Sequence, residues 1–400
     1  MILKASLKEI VKSQKEELLI NEGFIERDEL KNISFEIQFA IIISGIRRCG
    51  KSTLLKQLIK KTNKFHYFNF EDPRAINFEI EDFKKLEEIF NEENDSKYYF
   101  FDEIQNVNKW EILVRSLLDK KNYIVITGSN ASLLSKELGT KLTGRHLRHE
   151  LFPFSYNEFL KLTKEKRGIE SFEKYFTNGG FPEYLINKKS QILQELLNDI
   201  ISRDIVTRHK LRNIKTVKEM ALYLLTNSGK EFSYNSLRKM FGLGSTNSVI
   251  SFVSYFEDSY LLFTIPKFDY SLKKQLVNQK KVYSIDNGFS YANSLSFSED
   301  KGKMLENLVF INLRKSNREI FYFQEKGECD FIVKEKNRIT KAIQVCYNLN
   351  EDNKKREISG IAEALVKFNL DEGAILTFNQ EDVLKVDGKI IRLIPVWKWV

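Results

Sequence analysis

Residues 45–52 read Gly-Ile-Arg-Arg-Cys-Gly-Lys-Ser, a complete G-x-x-x-x-G-K-S run, and nothing else in the chain restricts its fold as strongly. The pattern carries weight only with a strand before it and a helix after it. "FAIIIS" (39–44) is a β-branched apolar run of the kind buried in a parallel sheet. Leu54, Leu55, Leu58 and Ile59 then fall on one helical stripe. This order aims backbone N–H groups and a helix N-terminus at polyphosphate oxygens. Gly45, Ile46, Arg47, Arg48, Cys49, Gly50, Lys51, Ser52 and Thr53 are therefore expected to line a nucleotide site. Lys51 is expected to reach the β and γ oxygens of ATP, and Ser52 to ligate Mg2+. One of Arg47 and Arg48 is expected to face the nucleotide, the other solvent or an acid.

A second segment completes the chemistry. "KYYFFDEIQ" (97–105) is an aromatic strand that ends on Asp102-Glu103, about 50 residues after the lysine. Asp102 is expected to support the metal, and Glu103 to act as general base toward the attacking water. A Glu beside that Asp marks hydrolysing ATPases with an added strand, and "FHYFNF" (65–70) is the candidate for it. "YIVITGSN" (123–130) reads as another buried strand, with Thr127, Ser129 and Asn130 as candidates to sense the γ-phosphate. Arg145, in a turn before a fifth strand-like segment, is a candidate arginine finger, in cis or across a subunit contact. The bland alternative is a surface arginine.

Four hundred residues exceed one small core, so two to four domains are expected. No apolar stretch approaches the roughly 18–20 residues that span a bilayer, and "MILKASLKEIVKSQKEELL" has no signal-peptide core. A cytoplasmic location is the expectation. Cys49, Cys329 and Cys346 form no CxxC pair, and the four histidines do not join them at zinc spacing. The net charge of +9 is a mild polyanion signal, equally explained by lysine on solvated helix faces.

From about residue 156 the pattern turns helical, broken at Gly179-Gly180 and with Pro182 near a helix start. Arg203-Asp204 is either a pair that reaches back to the nucleotide or a helix-surface ion pair. Residues 230–268 outline a winged helix-turn-helix: a helix at 234–241, a Gly-Leu-Gly turn, then a second helix capped by Ser245 or Thr246. Val249, Ile250, Val253 and Phe256 are expected to point inward. The exposed face offers Ser, Thr and Asn, so base readout is not expected, and nearby lysines suit non-specific phosphate contact. After residue 300 the order is helix, three strands, helix, strand, closing at "GAILTF" (373–378). That is the order of the restriction-endonuclease-like fold. Glu306 and Asp330 fit its acidic positions, but Gln344-Val345-Cys346 replaces E-x-K. The loss of a carboxylate and a lysine argues against cleavage. Lys341 cannot substitute, because strand parity sends it to the opposite face from Gln344.

Taken together, "GIRRCGKST", "FFDEIQN", "ITGSNASLLSKELGTKLTGR", "PFSYNEF", "GGFPEYL", "KVYSIDNGF", "MLENLVF", "GECDFIV" and "IQVCY" resemble one family almost from end to end. The chain is similar to archaeal and bacterial AAA-family P-loop ATPases with a C-terminal restriction-endonuclease-like domain of unknown function. The resemblance implies ATP binding and probable hydrolysis, an α/β fold with an AAA-type parallel sheet, and no defined substrate. It divides the chain into an ATPase core (1–155), a helical lid (156–228), a winged-helix-like region (229–285) and a degenerate nuclease-like domain (286–400). DNA of low specificity, or a protein, is the expected partner, and an oligomer is compatible with the motifs.

Overall fold

A computed structural model describes residues 1–20, 23–130, 142, 144–295, 300–316 and 319–400. The chain divides into two compact units. The first comprises Met1–Leu162 with Asp258–Tyr260, the second Thr163–Glu257 with Leu261–Val400.

The first unit is built on five strands: β1 (Ala40–Ser44), β2 (His66–Asn69), β3 (Tyr98–Asp102), β4 (Tyr123–Gly128) and β5 (His146–Glu150). They form one sheet in the order β2-β3-β4-β1-β5, and every neighbouring pair is parallel. Burial of β1 along its whole length explains why its sequence does not alternate. The helices are α1 (Lys4–Leu19), α2 (Lys51–Ile59), α3 (Asp82–Glu93) and α4 (Trp110–Asp119). A chain of aromatic rings, Phe68, Phe70, Phe78 and Phe83, packs with neighbouring centroids 4.8–5.2 Å apart and forms part of the core. Residues 66–69, within the candidate for the added strand, form the edge strand β2, and β4 lies between β3 and β1. Register puts Ser44 beside Gly128 and Phe101 beside Ile126, so the carboxyl ends of β1, β4 and β3 gather at one rim. A crevice at such a rim is where parallel α/β sheets bind ligands.

The second unit opens with helices, among them Ile169–Asn178, Pro182–Asn187 and Gln191–Asp199, the last running on as a π-helical stretch, Ile200–Thr207. Pro182 occupies the first turn of its helix. Gly179 and Gly180 meet the turn at Asp286–Gly288. The Gly180 N–H donates to the Asp286 carboxylate at 2.7 Å, and a Cβ on Gly288 would lie 2.0 Å from the Asn178 carbonyl. "GGF" and "IDNG" are thus two halves of one tight packing contact. Arg203 pairs with Asp199 and Asp204 with Arg208, at 3.6 and 3.8 Å.

Helices Tyr234–Met240 and Thr246–Asp258 follow, with Ser245 accepting from the Ser248 N–H at the start of the second. Val249, Val253 and Phe256 are buried as expected, but Ile250 is exposed. A small antiparallel sheet joins β6 (Glu231–Phe232), β8 (Lys280–Ser284) and β7 (Leu262–Pro266) in that order.

The rest is a six-stranded mixed sheet, β13-β14-β12-β11-β10-β9. Its strands are β9 (Glu319–Gln324), β10 (Glu328–Glu335), β11 (Arg338–Cys346), β12 (Glu372–Thr377), β13 (Asp382–Val386) and β14 (Lys389–Pro395), with helices Lys301–Lys315 and Glu351–Lys367. The sequence reading stopped at β12. It missed the hairpin β13–β14, although Asp387-Gly388 is a two-residue turn signal and both residues take positive φ (50° and 78°).

Candidate active site

The loop between β1 and α2 is shaped by close approaches that permit only glycine. A Cβ on Gly45 would sit 2.2 Å from the Leu151 carbonyl. Gly50, with φ +98°, leads into α2, and its Cβ would meet the Arg27 guanidinium at 2.7 Å. Ile46 and Cys49 are fully buried, and the Cys49 thiol points to the Leu151 carbonyl at 3.4 Å. Burial pushes that thiol above its ordinary value. These two residues can therefore offer a ligand only their backbone. Arg47 pairs with Glu71 at 2.9 Å, and Arg48 is exposed with φ 61°.

Lys51 donates to the Gly45 and Ile46 carbonyls at 3.2 Å each and lies 3.3 Å from Glu103. Burial acts to lower its pKa, but Glu103, Cys49 and Asp102 outweigh it and hold the ammonium above its ordinary value. Ser52 is exposed at the first turn of α2, near enough to Asp102 to act on its carboxyl. Asp102 is buried at the tip of β3. Burial and the neighbouring Glu103 raise its carboxyl, against bonds from Thr127 and Ser52. Glu103 follows in the left-handed region, φ 49°. Burial works to raise its carboxyl as well, yet Lys51, Gln105 and Arg47 hold it below the ordinary value, so it is ionised at neutral pH.

Ser52 and Asp102 supply a hydroxyl and a carboxylate side by side, the hard oxygen donors that Mg2+ prefers alongside substrate phosphates. The donor set fits that ion.

Of the three sensor candidates, Thr127 is already committed. Its hydroxyl donates to Asp102 and accepts from the Glu103 N–H at 2.9 Å. Ser129 and Asn130 are buried just beyond the end of β4. Residues 131–141 and 143 of the motif that follows lie outside the described residues. Arg145 precedes the first residue of β5, which pairs with Ala40, whereas the loop extends from the opposite end of β1. The strand between spans about 13 Å, and the guanidinium pairs with Asp119 at 2.8 Å.

Two residues escaped the sequence reading. Arg27 is buried, and its fork donates to Glu158 (2.7 Å), the Cys49 carbonyl (2.5 Å) and the Phe152 carbonyl (2.7 Å). It braces the loop from below, yet "ERDEL" gives no sign of it. Gln105 donates to Glu103 and, at 3.4 Å, to Ser129, bridging the base to β4.

The second unit brings together Glu306 and Asp330, as expected, but with a cation between them. Lys281, from β8, lies 3.1 Å from Glu306, 2.8 Å from Asp330 and 2.6 Å from Glu328. The Tyr283 hydroxyl and Lys303 cap Glu306 at 2.7 Å each, and the Val345 N–H caps Asp330 at 3.0 Å. Gln344 is committed at both ends of its amide, to the Asp330 N–H at 3.0 Å and Glu357 at 2.6 Å. A positive charge thus stands between these acids, supplied from another strand. Every oxygen of Glu306 and Asp330 has a protein donor.

Residues 38–160 match an AAA domain, and residues 169–300 a domain of unknown function, DUF8612. The uncharacterized protein MJ1544 of Methanocaldococcus jannaschii is 40% identical over 408 residues, covering 94% of this chain and 90% of its own. An uncharacterized protein of Haemophilus influenzae is 28% identical over 390 residues, covering 91% and 95%. Among solved structures, AMPPCP-bound DnaA from Aquifex aeolicus aligns at 15% identity over 62% of this chain and 88% of its own, with a TM-score of 0.30. No helix among the described residues is long and apolar enough to cross a membrane.

Proposed function

The chain belongs to the family of Methanocaldococcus jannaschii MJ1544 and carries an AAA domain, and we propose that it is a magnesium-dependent ATPase whose nucleotide state is passed to contacts made by its C-terminal half. One observation carries the reading: Lys51 of the loop lies 3.3 Å from Glu103, directly after the carboxylate that ends β3, so the loop lysine and the paired acids meet at one rim.

In this reading the backbone amides of residues 45–53 enclose the triphosphate, and Lys51 leaves its loop carbonyls and Glu103 to neutralise the β and γ oxygens. Ser52 and Asp102 hold Mg2+, which when bound screens phosphate charge. Glu103, freed from Lys51 but still held by Gln105, accepts a proton from the attacking water. Ser129 and Asn130 remain the γ-phosphate sensors, since the Thr127 hydroxyl serves Asp102 and Glu103. Arg145, facing away from its own site, is assigned to a neighbouring subunit's nucleotide.

We read the sheet of β9–β14 as restriction-endonuclease-like and non-cleaving, because Lys281 and the donors around it saturate its carboxylates. The segment around Thr246–Asp258 is read as winged-helix-like, with contact to phosphate or protein rather than base readout. The alternative, a switch that hydrolyses rarely and signals to a protein, draws on the Lys51–Glu103 ion pair, which restrains the base until nucleotide arrives. Steady-state ATP turnover with and without single- and double-stranded DNA separates the two. Stimulation with a steep salt dependence supports a nucleic-acid load. Indifference to DNA together with nucleotide-dependent self-association supports the switch, and absence of ATP binding overturns both.

A further inference from the structure

The second unit displays an apolar surface that its own fold leaves uncovered. The short helix Leu272–Val277 has no buried residue. Tyr270, Leu272, Leu276 and Val277 are exposed to 77%, 69%, 62% and 73%. A helix this short does not hold by propensity alone, and neighbouring exposed aliphatic side chains mark interaction sites on soluble proteins. Leu272, Gln275 and Leu276 stand at i, i+3 and i+4, on one helical face. Gln275 also lines an adjoining open cleft of about 850 Å³. Phe268 packs edge-on in its wall against Phe321 and Phe368, with centroids 5.6 and 4.8 Å apart.

Charge decides the occupant. Lys334, Arg338 and Lys367 line the cleft, and Lys273 and Lys274 stand on the helix itself. The acids at hand are Asp269, paired with Lys274 at 3.5 Å, and Glu319 and Glu325, paired with Lys334 and Lys367 at 2.7 and 2.8 Å. Glu335 stands across from Arg338 and Glu363 acts on Lys367, but the cleft's own lining holds three cations, Lys334, Arg338 and Lys367, against one acid, Asp269. Nucleic acid would answer the lysines but leave three aliphatic side chains wet. A protein segment with carboxylates and leucines at helical spacing answers both.

We propose that Tyr270–Val277 and the cleft beside it dock an acidic amphipathic helix of a partner protein, with its aliphatic stripe on Leu272 and Leu276 and its carboxylates toward Lys273, Lys334 and Arg338. This deepens the reading that the C-terminal half makes the output contacts, and its test uses no nucleotide, so failure here leaves ATP turnover untouched as a separate question. The probe is a short fluorescein-labelled peptide with leucines at i, i+3, i+4 and i+7 and glutamates between, titrated with the full chain by anisotropy. A lysine-for-glutamate peptide and labelled oligothymidylate serve as comparisons. The expected result is that the glutamate peptide binds at least about ten-fold tighter than the lysine peptide and weakens with salt. Leu272→Asp with Leu276→Asp, at exposed positions where folding is checked by melting, lowers affinity about ten-fold or more, and Arg338→Glu does so independently. Equal binding of the two peptides, or glutamate-peptide affinity unchanged in these variants, overturns the proposal. Oligothymidylate binding abolished by the leucine changes, or self-association removed by them, overturns it in favour of a nucleic acid or a second copy.

Discussion

Replacing Glu103 by glutamine separates two tasks that the proposed mechanism gives its carboxylate. The first is chemical. The side chain is ionised, held by Lys51 and Gln105 at the rim where water must attack, and general-base catalysis typically supplies about 10²–10⁴ in rate. The second is competitive, because the same carboxylate lies 3.3 Å from the ammonium that must neutralise phosphate. At an effective dielectric constant of 20, that separation corresponds to a Coulomb energy of about 5 kcal/mol. Lys51 keeps its two carbonyl partners and the field of Asp102 when Glu103 is neutralised, so only part of this energy opposes nucleotide. If a quarter to a half does, about 1.3–2.5 kcal/mol, the glutamine variant binds ATP roughly 10- to 70-fold tighter. Calorimetry gives the affinity and single-turnover phosphate release gives the rate. The expected pattern is tighter binding with turnover slowed about 10²–10⁴-fold. Unchanged turnover removes Glu103 as the base, and weaker ATP binding refutes the idea that its ion pair with Lys51 competes with phosphate.

Arg27→Met leaves Glu158 buried without its guanidinium and the Cys49 carbonyl without its donor, and is expected to cost about 3–5 kcal/mol in urea unfolding. A loss below 1 kcal/mol, by the scale of surface substitutions, would show that the brace is dispensable. Burial pushes Asp286 up to about 6, from an ordinary 3.8, so the fold binds its proton more tightly than the unfolded chain does. Its contribution of about 3 kcal/mol is full below pH 4 and is lost as pH rises through 6. Asp286→Asn should flatten that part of the stability–pH curve, and an unchanged slope assigns it to another group. His66 runs the other way. Burial between Phe90 and Tyr99 pulls it down to about 4, so its contribution is present above pH 6.5 and lost as pH falls through 4. His66→Phe should reduce acid sensitivity, as read by melting at pH 4 and 7. Lys281→Met strips the shared cation from Glu306 and Asp330, and is expected to destabilise the second unit while making its melting temperature rise with added Mn2+. A wild type that also responds, at nucleotide-free concentrations that leave the first unit unaffected, refutes the idea that the lysine holds the cation position.

Sequence alone determined what local order can encode. A glycine run between a buried strand and an amphipathic helix has one low-strain geometry, so the loop at 45–52 and the helix behind it were legible. The acids at the end of an aromatic strand were legible for the same reason. Tertiary structure decided everything that depends on partners distant in the chain. Parallel strands carry no mark of their neighbours, so only the folded sheet places β4 between β3 and β1 and the segment at 66–69 at the edge. Arg27 could become the brace of the loop only once Glu158, 131 residues later, arrived beside it. Lys281 came to lie between Glu306 and Asp330 because elements far apart in sequence aim side chains at one buried point. Arg145 came to precede β5 at the end of β1 opposite the loop through strand direction, which residue type cannot reveal. Covalent order sets backbone geometry over a few residues. Charge compensation and strand order are set by packing, which selects among partners that the linear order leaves equivalent.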